Sequence, residues 1–255
     1  MTQQITERPV ALVTGATSPG GFGEMIARRL VAAKYTTIVS GRDEPRLGFL
    51  AEELGVELEV CDMMDHDQID AMAERVLERH PDIDVLVNNA GQPLRKGVLE
   101  AGADELEEAM ATNYMGGLFL TRALMNGLRG DHHADVIDIV SAGGIITSPS
   151  SGGYGASKSA QRAASVAMAY DLSGTNIAVR TVNPGRANTK GHPQEASRSP
   201  ISIATRTTPT KVAERVMGLI GRESSEIYIP RILRGVAIAD VIDSRRTTKI
   251  VAKAG

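Results

Sequence analysis

Tryptophan is absent, and phenylalanine and tyrosine together supply only eight of the 255 residues. Single-stranded nucleic acids are held on aromatic stacking platforms, and this chain has little material for one. It also lacks an excess of positive charge: 28 Lys and Arg stand against 31 Asp and Glu, a formal net charge of -3. Without a basic field to meet phosphates, no nucleic-acid partner is expected. Cys61 is the only cysteine, so no internal disulfide forms, which fits a reduced, cytoplasmic setting. No run approaches the roughly 20 apolar residues of a membrane helix, and residues 1–9 are polar and mixed in charge, unlike a secretory leader. No membrane partner is expected. His132 and His133 have no carboxylate or thiol at ligand spacing, so no metal is expected either.

What is present is ordinary for a globular protein: 42% hydrophobic and 23% charged residues. The length suits one α/β domain over residues 1–255, near the upper size for a single core. Short apolar or β-branched runs at 10–13, 36–40, 56–60, 85–87, 136–140, 177–182 and 226–229 read as strands. Longer stretches with helical spacing lie between them, at 26–33, 47–54, 69–77, 105–128, 154–172 and 212–220. This alternation predicts a doubly wound parallel sheet with helices on both faces, a Rossmann-type three-layer sandwich. The 56–60 run alternates with glutamates, as a strand near an edge does. Residues 189–210 are rich in Ser, Thr, Pro and Arg and lack apolar periodicity, and they read as a long functional loop.

The first strand runs into Thr-Gly-Ala-Thr-Ser-Pro-Gly-Gly-Phe-Gly-Glu at 14–24. Gly15, Gly21 and Gly23, with Ser18 and Phe22 among them, sit where a strand turns into a helix. Glycines there let backbone approach a pyrophosphate resting on the helix N-terminus. The second strand ends at Gly41, where a carboxylate would bind the ribose hydroxyls of NAD, and Arg42 follows. A guanidinium suits a 2′-phosphate, so NADP(H) is favoured over NAD(H). The alternative is a surface arginine in water or paired to Asp43 or Glu44.

Tyr154 and Lys158 are four apart, on one face of a helix. A neighbouring positive charge lowers a phenol's pKa from about 10. Such pairs are common on helix surfaces, and this one gains meaning from its company. Ser141 follows the 136–140 strand, and Asn88-Asn89-Ala90-Gly91 follows the 85–87 strand. Both are strand carboxyl ends, where open α/β sheets bind ligands. Asn113 interrupts an otherwise helical run. Cys61 and the methionines at 63, 64, 110 and 115 read as packing.

In this order and spacing, the glycine turn, Asp62, Asn88 to Gly91, Asn113, Ser141, Tyr154 with Lys158, and Asn183-Pro184-Gly185 with Thr189 resemble the short-chain dehydrogenase/reductase family in its compact single-domain form. The resemblance implies an NAD(P)-dependent oxidoreductase that interconverts a small-molecule ketone or aldehyde and an alcohol. It implies Tyr154 as general acid/base and Lys158 as the group that lowers its pKa and binds the nicotinamide ribose. Ser141 would orient the carbonyl, and Asn113 would hold a helix distortion and a water linking Lys158 to solvent. Asp62 and Met63 would contact the adenine, and Asn89, Ala90 and Gly91 would pack along the cofactor. Ala187 and Thr189, after Pro184-Gly185, would hold the carboxamide end. A homo-oligomer, dimer or tetramer, is expected.

Two departures stand out. The glycine turn is longer than the common form by two residues, around Ser18-Pro19-Gly20. The chain also continues past Pro230 with helical spacing through Ile232, Leu233, Val236, Ala237, Val241 and Ile242, decorated by arginines. This 231–255 extension is expected to pack on the domain or on a partner subunit. A dinucleotide-binding regulator without catalysis is the competing reading, and a sugar-nucleotide epimerase or dehydratase another. Lys190, Arg198 and Arg206 hint at a polar or anionic substrate under a 189–210 lid.

Overall fold

A computed structural model of the chain describes residues 8–146, 151–187, 203–222 and 226–243. Its strands are β1 (Val10–Thr14), β2 (Thr36–Gly41), β3 (Glu57–Val60), β4 (Val85–Asn88), β5 (Ala134–Ile139), β6 (Ile177–Pro184), β7 (Arg186–Ala187), β8 (Arg206–Thr207) and β9 (Glu226–Ile229). Seven of them form one sheet in the order β3-β2-β1-β4-β5-β6-β9, with every pairing parallel. The chain moves outward from β1 to β3, then returns to β4 on the other side of β1. The carboxyl ends of β1 and β4 therefore flank a switch point, the ligand crevice of open α/β sheets.

Burial explains the strand sequences. All four β4 residues are buried, as the run Val-Leu-Val requires of a strand covered on both faces. β3 is an edge strand with one fully buried residue in four. On one face lie α1 (Phe22–Ala32), α2 (Glu44–Leu54) and α8 (Pro209–Met217). Ile26, Leu30, Val212 and Val216 pack there on Val13, Val87 and Ile139, and Leu47 and Leu50 join Ala27 and Val39. On the other face lie α3 (His66–Arg79), α5 (Gly116–Ala123) and α7 (Gly152–Asp171). Ile69, Met72, Val76 and Leu120 pack there against Leu12, Leu86 and Val136. This is the three-layer doubly wound architecture expected from the alternation.

Two local expectations change. The single helix expected at 105–128 is broken into α4 (Ala103–Met110), a π-helical turn (Ala111–Met115), α5 and α6 (Met125–Leu128). The extra residue in the π turn carries Asn113 inward, where it is 1% exposed and bonded to Gln92. The stretch expected to be loop at 189–210 contains β8, which pairs with β7. A two-residue pairing has no periodicity for sequence to reveal. Past β9, the expected C-terminal helix is α9 (Ile232–Ile242), which buries Leu233 and Ala237. Residues 244–255 of the extension lie outside the described residues.

Candidate active site

The crevice begins where β1 turns. Gly15 has φ +67°, the left-handed region that favours glycine, and a Cβ there would lie 2.6 Å from Ala90 Cα. Thr14 Oγ1 accepts from the backbone N–H groups of Asn89 and Ala90, both at 3.0 Å. Asn89 Nδ2 donates back to the carbonyls of Thr14 (2.9 Å) and Gly15 (3.0 Å). A Cβ on Gly23 would lie 2.6 Å from Asn89 Nδ2. The glycine turn and the Asn89–Ala90 segment are thus one interlocked unit. The Ser18-Pro19-Gly20 insertion closes on itself as a tight turn, with Gly21 N–H donating to the Ser18 carbonyl at 2.8 Å. α1 starts at Phe22, and its N-cap, Gly21, offers no side-chain cap. An uncapped helix N-terminus behind a glycine turn is a place for an anion.

At the end of β2, a Cβ on Gly41 would meet Thr17 Cγ2 at 2.5 Å, so threonine occupies the space where an acidic side chain would begin. Arg42 is exposed, and its nearest carboxylate is Asp62 at 3.9 Å. Asp43 instead caps α2 and pairs with Arg46. Asp62 itself accepts from Met64 N–H at 3.0 Å. The Met63 side chain is in the core, so any cofactor contact at this position falls to its backbone.

The second cluster forms at the end of β5. Ser141 is extended, and its Oγ accepts from Gly143 N–H at 3.0 Å. The short 3-10 turn Ala142–Gly144 is pressed onto α7: Ser159 Oγ donates to the Gly144 carbonyl at 2.9 Å, and a Cβ on Gly144 would lie 2.8 Å from the Lys158 carbonyl. This docking sets the Tyr154 ring beside Ser141: a Cβ on Gly143 would lie 3.3 Å from Tyr154 Cε1 and 3.4 Å from Ser141 Oγ. Burial pushes the Tyr154 phenol above its ordinary value, and the nearby Ser141 hydroxyl pulls it part of the way back. Lys158, one turn later, is 4% exposed. Its Nζ donates to the Ile139 carbonyl (3.0 Å) and to Gln161 Oε1 (2.8 Å). Burial pushes this ammonium down to about 8, against an opposing pull from Asp138.

Asn113 completes the cluster. Its Nδ2 donates to Ser157 Oγ (2.9 Å) and the Gln92 carbonyl (3.0 Å), and its Oδ1 accepts from Gln92 N–H (2.7 Å). A Cβ on Gly91 would lie 2.9 Å from Asn113 Oδ1 and 3.4 Å from Lys158 Nζ. Gly91, Asn113 and Lys158 are therefore in mutual contact range, although they come from three separate segments.

At the end of β6, Gly185 N–H donates to the Ile229 carbonyl at 2.7 Å, and its missing Cβ leaves room for the Thr205 carbonyl. Pro184 and Ala187 are buried. Thr189, Lys190 and Arg198 lie outside the described residues. Arg206 of β8 is in register with Arg186 of β7, and both are exposed. His132 bonds to the Ile83 carbonyl and His133 to Asp135. Among the described residues no cluster suits a metal, and no helix is long and apolar enough to cross a membrane.

Sequence reasoning passed over Asp138 and Gln161, and gave Thr14 and Asn88 no role of their own within the motifs that contain them. Asp138 did leave a signal: a carboxylate in the otherwise apolar run Val136, Ile137, Ile139, Val140.

The short chain dehydrogenase family model matches residues 9–199. An NADP-dependent 3-hydroxy acid dehydrogenase of Shigella flexneri is 36% identical over 181 residues, 69% of this chain and 71% of that protein. Among solved structures, an actinorhodin polyketide ketoreductase with NADPH is similar at TM-score 0.78 and 31% identity, covering 86% of this chain and 94% of that one. A short-chain dehydrogenase from Streptomyces avermitilis is similar at TM-score 0.81 and 28% identity, covering 93% and 94%.

Proposed function

The chain belongs to the short-chain dehydrogenase family, and from that premise we propose that this oxidoreductase is an NADPH-dependent carbonyl reductase in which Tyr154 moves the proton. The observation that carries this reading is Tyr154 set beside Ser141, with Lys158 buried one turn along the same helix. During reduction the Ser141 hydroxyl donates to the substrate carbonyl oxygen and Tyr154 Oη gives that oxygen its proton. In the reverse direction the phenolate takes the proton from the alcohol. Burial holds Tyr154 as a neutral phenol at rest, which is the form a reductase needs. Lys158, while protonated, makes that phenol a readier donor.

The residues fit NADP(H). The uncapped start of α1 behind Gly15, Gly21 and Gly23 suits a pyrophosphate, with Ser18 and Phe22 on its rim. The end of β2 has Arg42 for a 2′-phosphate, and Gly41 where a ribose-binding carboxylate would stand. Asp62 and the Met63 backbone would hold the adenine, Asn89 to Gly91 the central portion, and Pro184, Gly185, Ala187 and Thr189 the carboxamide. When bound, the nicotinamide supplies or accepts the hydride. In this reading the whole chain is one dinucleotide-binding domain, with residues 189–210 as a lid over the substrate.

For the substrate we favour a 3-oxo acid and its 3-hydroxy counterpart. The Shigella relative is named for a 3-hydroxy acid. The test is NADPH oxidation with 3-oxo acids, plain ketones and aldehydes, comparing Tyr154→Phe. Positioned proton transfer contributes on the order of 100-fold or more, so the variant should lose at least that much turnover while still quenching NADPH fluorescence on binding. Equal turnover by the two proteins would overturn the mechanism.

A further inference from the structure

Asp138 stands in β5 with 3% exposure, flanked along the strand by isoleucines. Its Cα is in register with Asn88 of β4 and with Thr181 of β6. Three polar side chains therefore form a row across the sheet, beneath α5 and α7. Asn88 Nδ2 donates to Asp138 Oδ1 (2.9 Å) and to Thr121 Oγ1 of α5 (3.0 Å). Ser165 Oγ of α7 hydrogen-bonds to Thr181 Oγ1 at 2.8 Å. The second carboxylate oxygen, Oδ2, is buried without a hydrogen-bond partner, as is Asn88 Oδ1. Asp138 and Gln161 also line a cavity of about 10 Å³, together with Tyr114, Gly117, Ala164 and Met168. That is close to the smallest space that admits one water. Gln161 is the residue that accepts from Lys158 Nζ.

A buried carboxylate is costly unless a charge compensates it. The groups facing Asp138 are Asn88 from β4, Thr121 from α5, Lys158, Gln161 and Ser165 from α7, Tyr114 from the π turn, and Thr181 from β6 through Ser165. Of these only Lys158 and Tyr114 titrate, and only Lys158 is a cation. Burial pushes the Asp138 carboxyl above its ordinary value, and Asn88 and Lys158 pull it back toward the carboxylate; Asp138 in turn favours the Lys158 ammonium.

The geometry points to Asp138 as a positioning residue for proton transfer: its carboxylate is the buried counter-charge that keeps Lys158 an ammonium and thereby keeps the Tyr154 proton transferable. Asp138 touches no reacting atom. It acts through Lys158, and the inference rests on the reading of Tyr154 and Lys158 as the proton-transfer pair.

The test is Asp138→Asn, which preserves shape and can still accept from Asn88. Two readouts are followed: the pH profile of kcat/KM for alcohol oxidation, and the nitrogen NMR titration of the Lys158 ammonium without cofactor, assigned by difference from Lys158→Met. Losing one nearby negative charge should move the Lys158 titration down from about 8 by about one pH unit, and the rising limb of the profile up by about as much. Turnover at neutral pH should fall about tenfold. Superimposable profiles and titrations in a variant that melts like wild type would overturn the inference and leave Asp138 a structural residue. If Asp138→Asn does not fold, Asn88→Ala carries the test: removing the hydrogen bond that favours the carboxylate should produce a smaller shift of the same sign, and no shift counts against the inference. The two readings fail separately. Turnover retained in Tyr154→Phe sinks the proton-transfer pair itself. An inactive Tyr154→Phe beside an unmoved Asp138→Asn profile sinks only the role of Asp138.

Discussion

Replacing Lys158 by methionine should abolish turnover and yet remove a cost from the folded state. Lys158 is 4% exposed, and its pKa falls from the ordinary 10.5 to about 8, chiefly through burial. Each unit corresponds to about 1.4 kcal/mol, so folding with a protonated Lys158 costs roughly 3 kcal/mol at neutral pH. Below pH 8 both folded and unfolded chains hold this proton, and the full cost is present. Between pH 8 and 10.5 the folded protein has released the proton while the unfolded chain still binds it. The unfolded state then binds more protons, so stability rises with pH across this window. Lys158→Met lacks that rise. Its gain at neutral pH should be smaller than about 3 kcal/mol, because Asp138 is left buried without its cation. The slope is the cleaner quantity. Urea unfolding of both proteins at several pH values from about 7.5 to 10.5 gives the difference in unfolding free energy, and the wild type should gain on the variant by roughly 3 kcal/mol across that range. Parallel curves would refute the reasoning, since they would mean that the ammonium is no worse off folded than unfolded.

Arg42→Ala should raise the KM for NADPH about 10- to 100-fold, the worth of a charge-assisted contact of roughly 1.5–3 kcal/mol, and leave the KM for NADH unchanged. Steady-state kinetics with both cofactors decides this, and an equal effect on both would show that Arg42 does not read the phosphate. At the opposite end of β5, Arg180 Nε lies 2.5 Å from Asp135 Oδ1, with side chains 3% and 1% exposed. Arg180→Met leaves that buried carboxylate with His133 and the Gly221 N–H as its partners among the described residues and should cost about 3–5 kcal/mol in urea unfolding. A loss below about 1 kcal/mol would mean that Asp135 is neutral or well solvated.

Much of the site was legible because its residues are demanded by local geometry. Gly15 needs a left-handed backbone, and Gly15 and Gly23 need room for Ala90 and Asn89, so glycines after an apolar run announce a phosphate turn. Tyr154 and Lys158 share a helix, and helical spacing alone places them on one face. Asn113 was legible only as an oddity. Its inward turn goes with the π turn, and there Gln92, from a different segment, meets it with both a donor and an acceptor. Thr14 was given no role of its own for the same reason: its partners, Asn89 and Ala90, are 75 and 76 residues away.

The linear pattern by itself determined the alternation of strands and helices, the places where the chain must turn on glycine, and the chemical inventory at the strand ends. Those follow from short-range sterics and from which residues avoid water. Only the tertiary structure decided the charge states of that inventory. Asp138 and Lys158 attract each other because β5 lies beneath α7, Lys158 is weakened as a cation because that packing removes its water, and Tyr154 is pushed toward its protonated form for the same reason. Burial and Coulomb attraction act through space, between residues whose separation along the chain does not say how close they are.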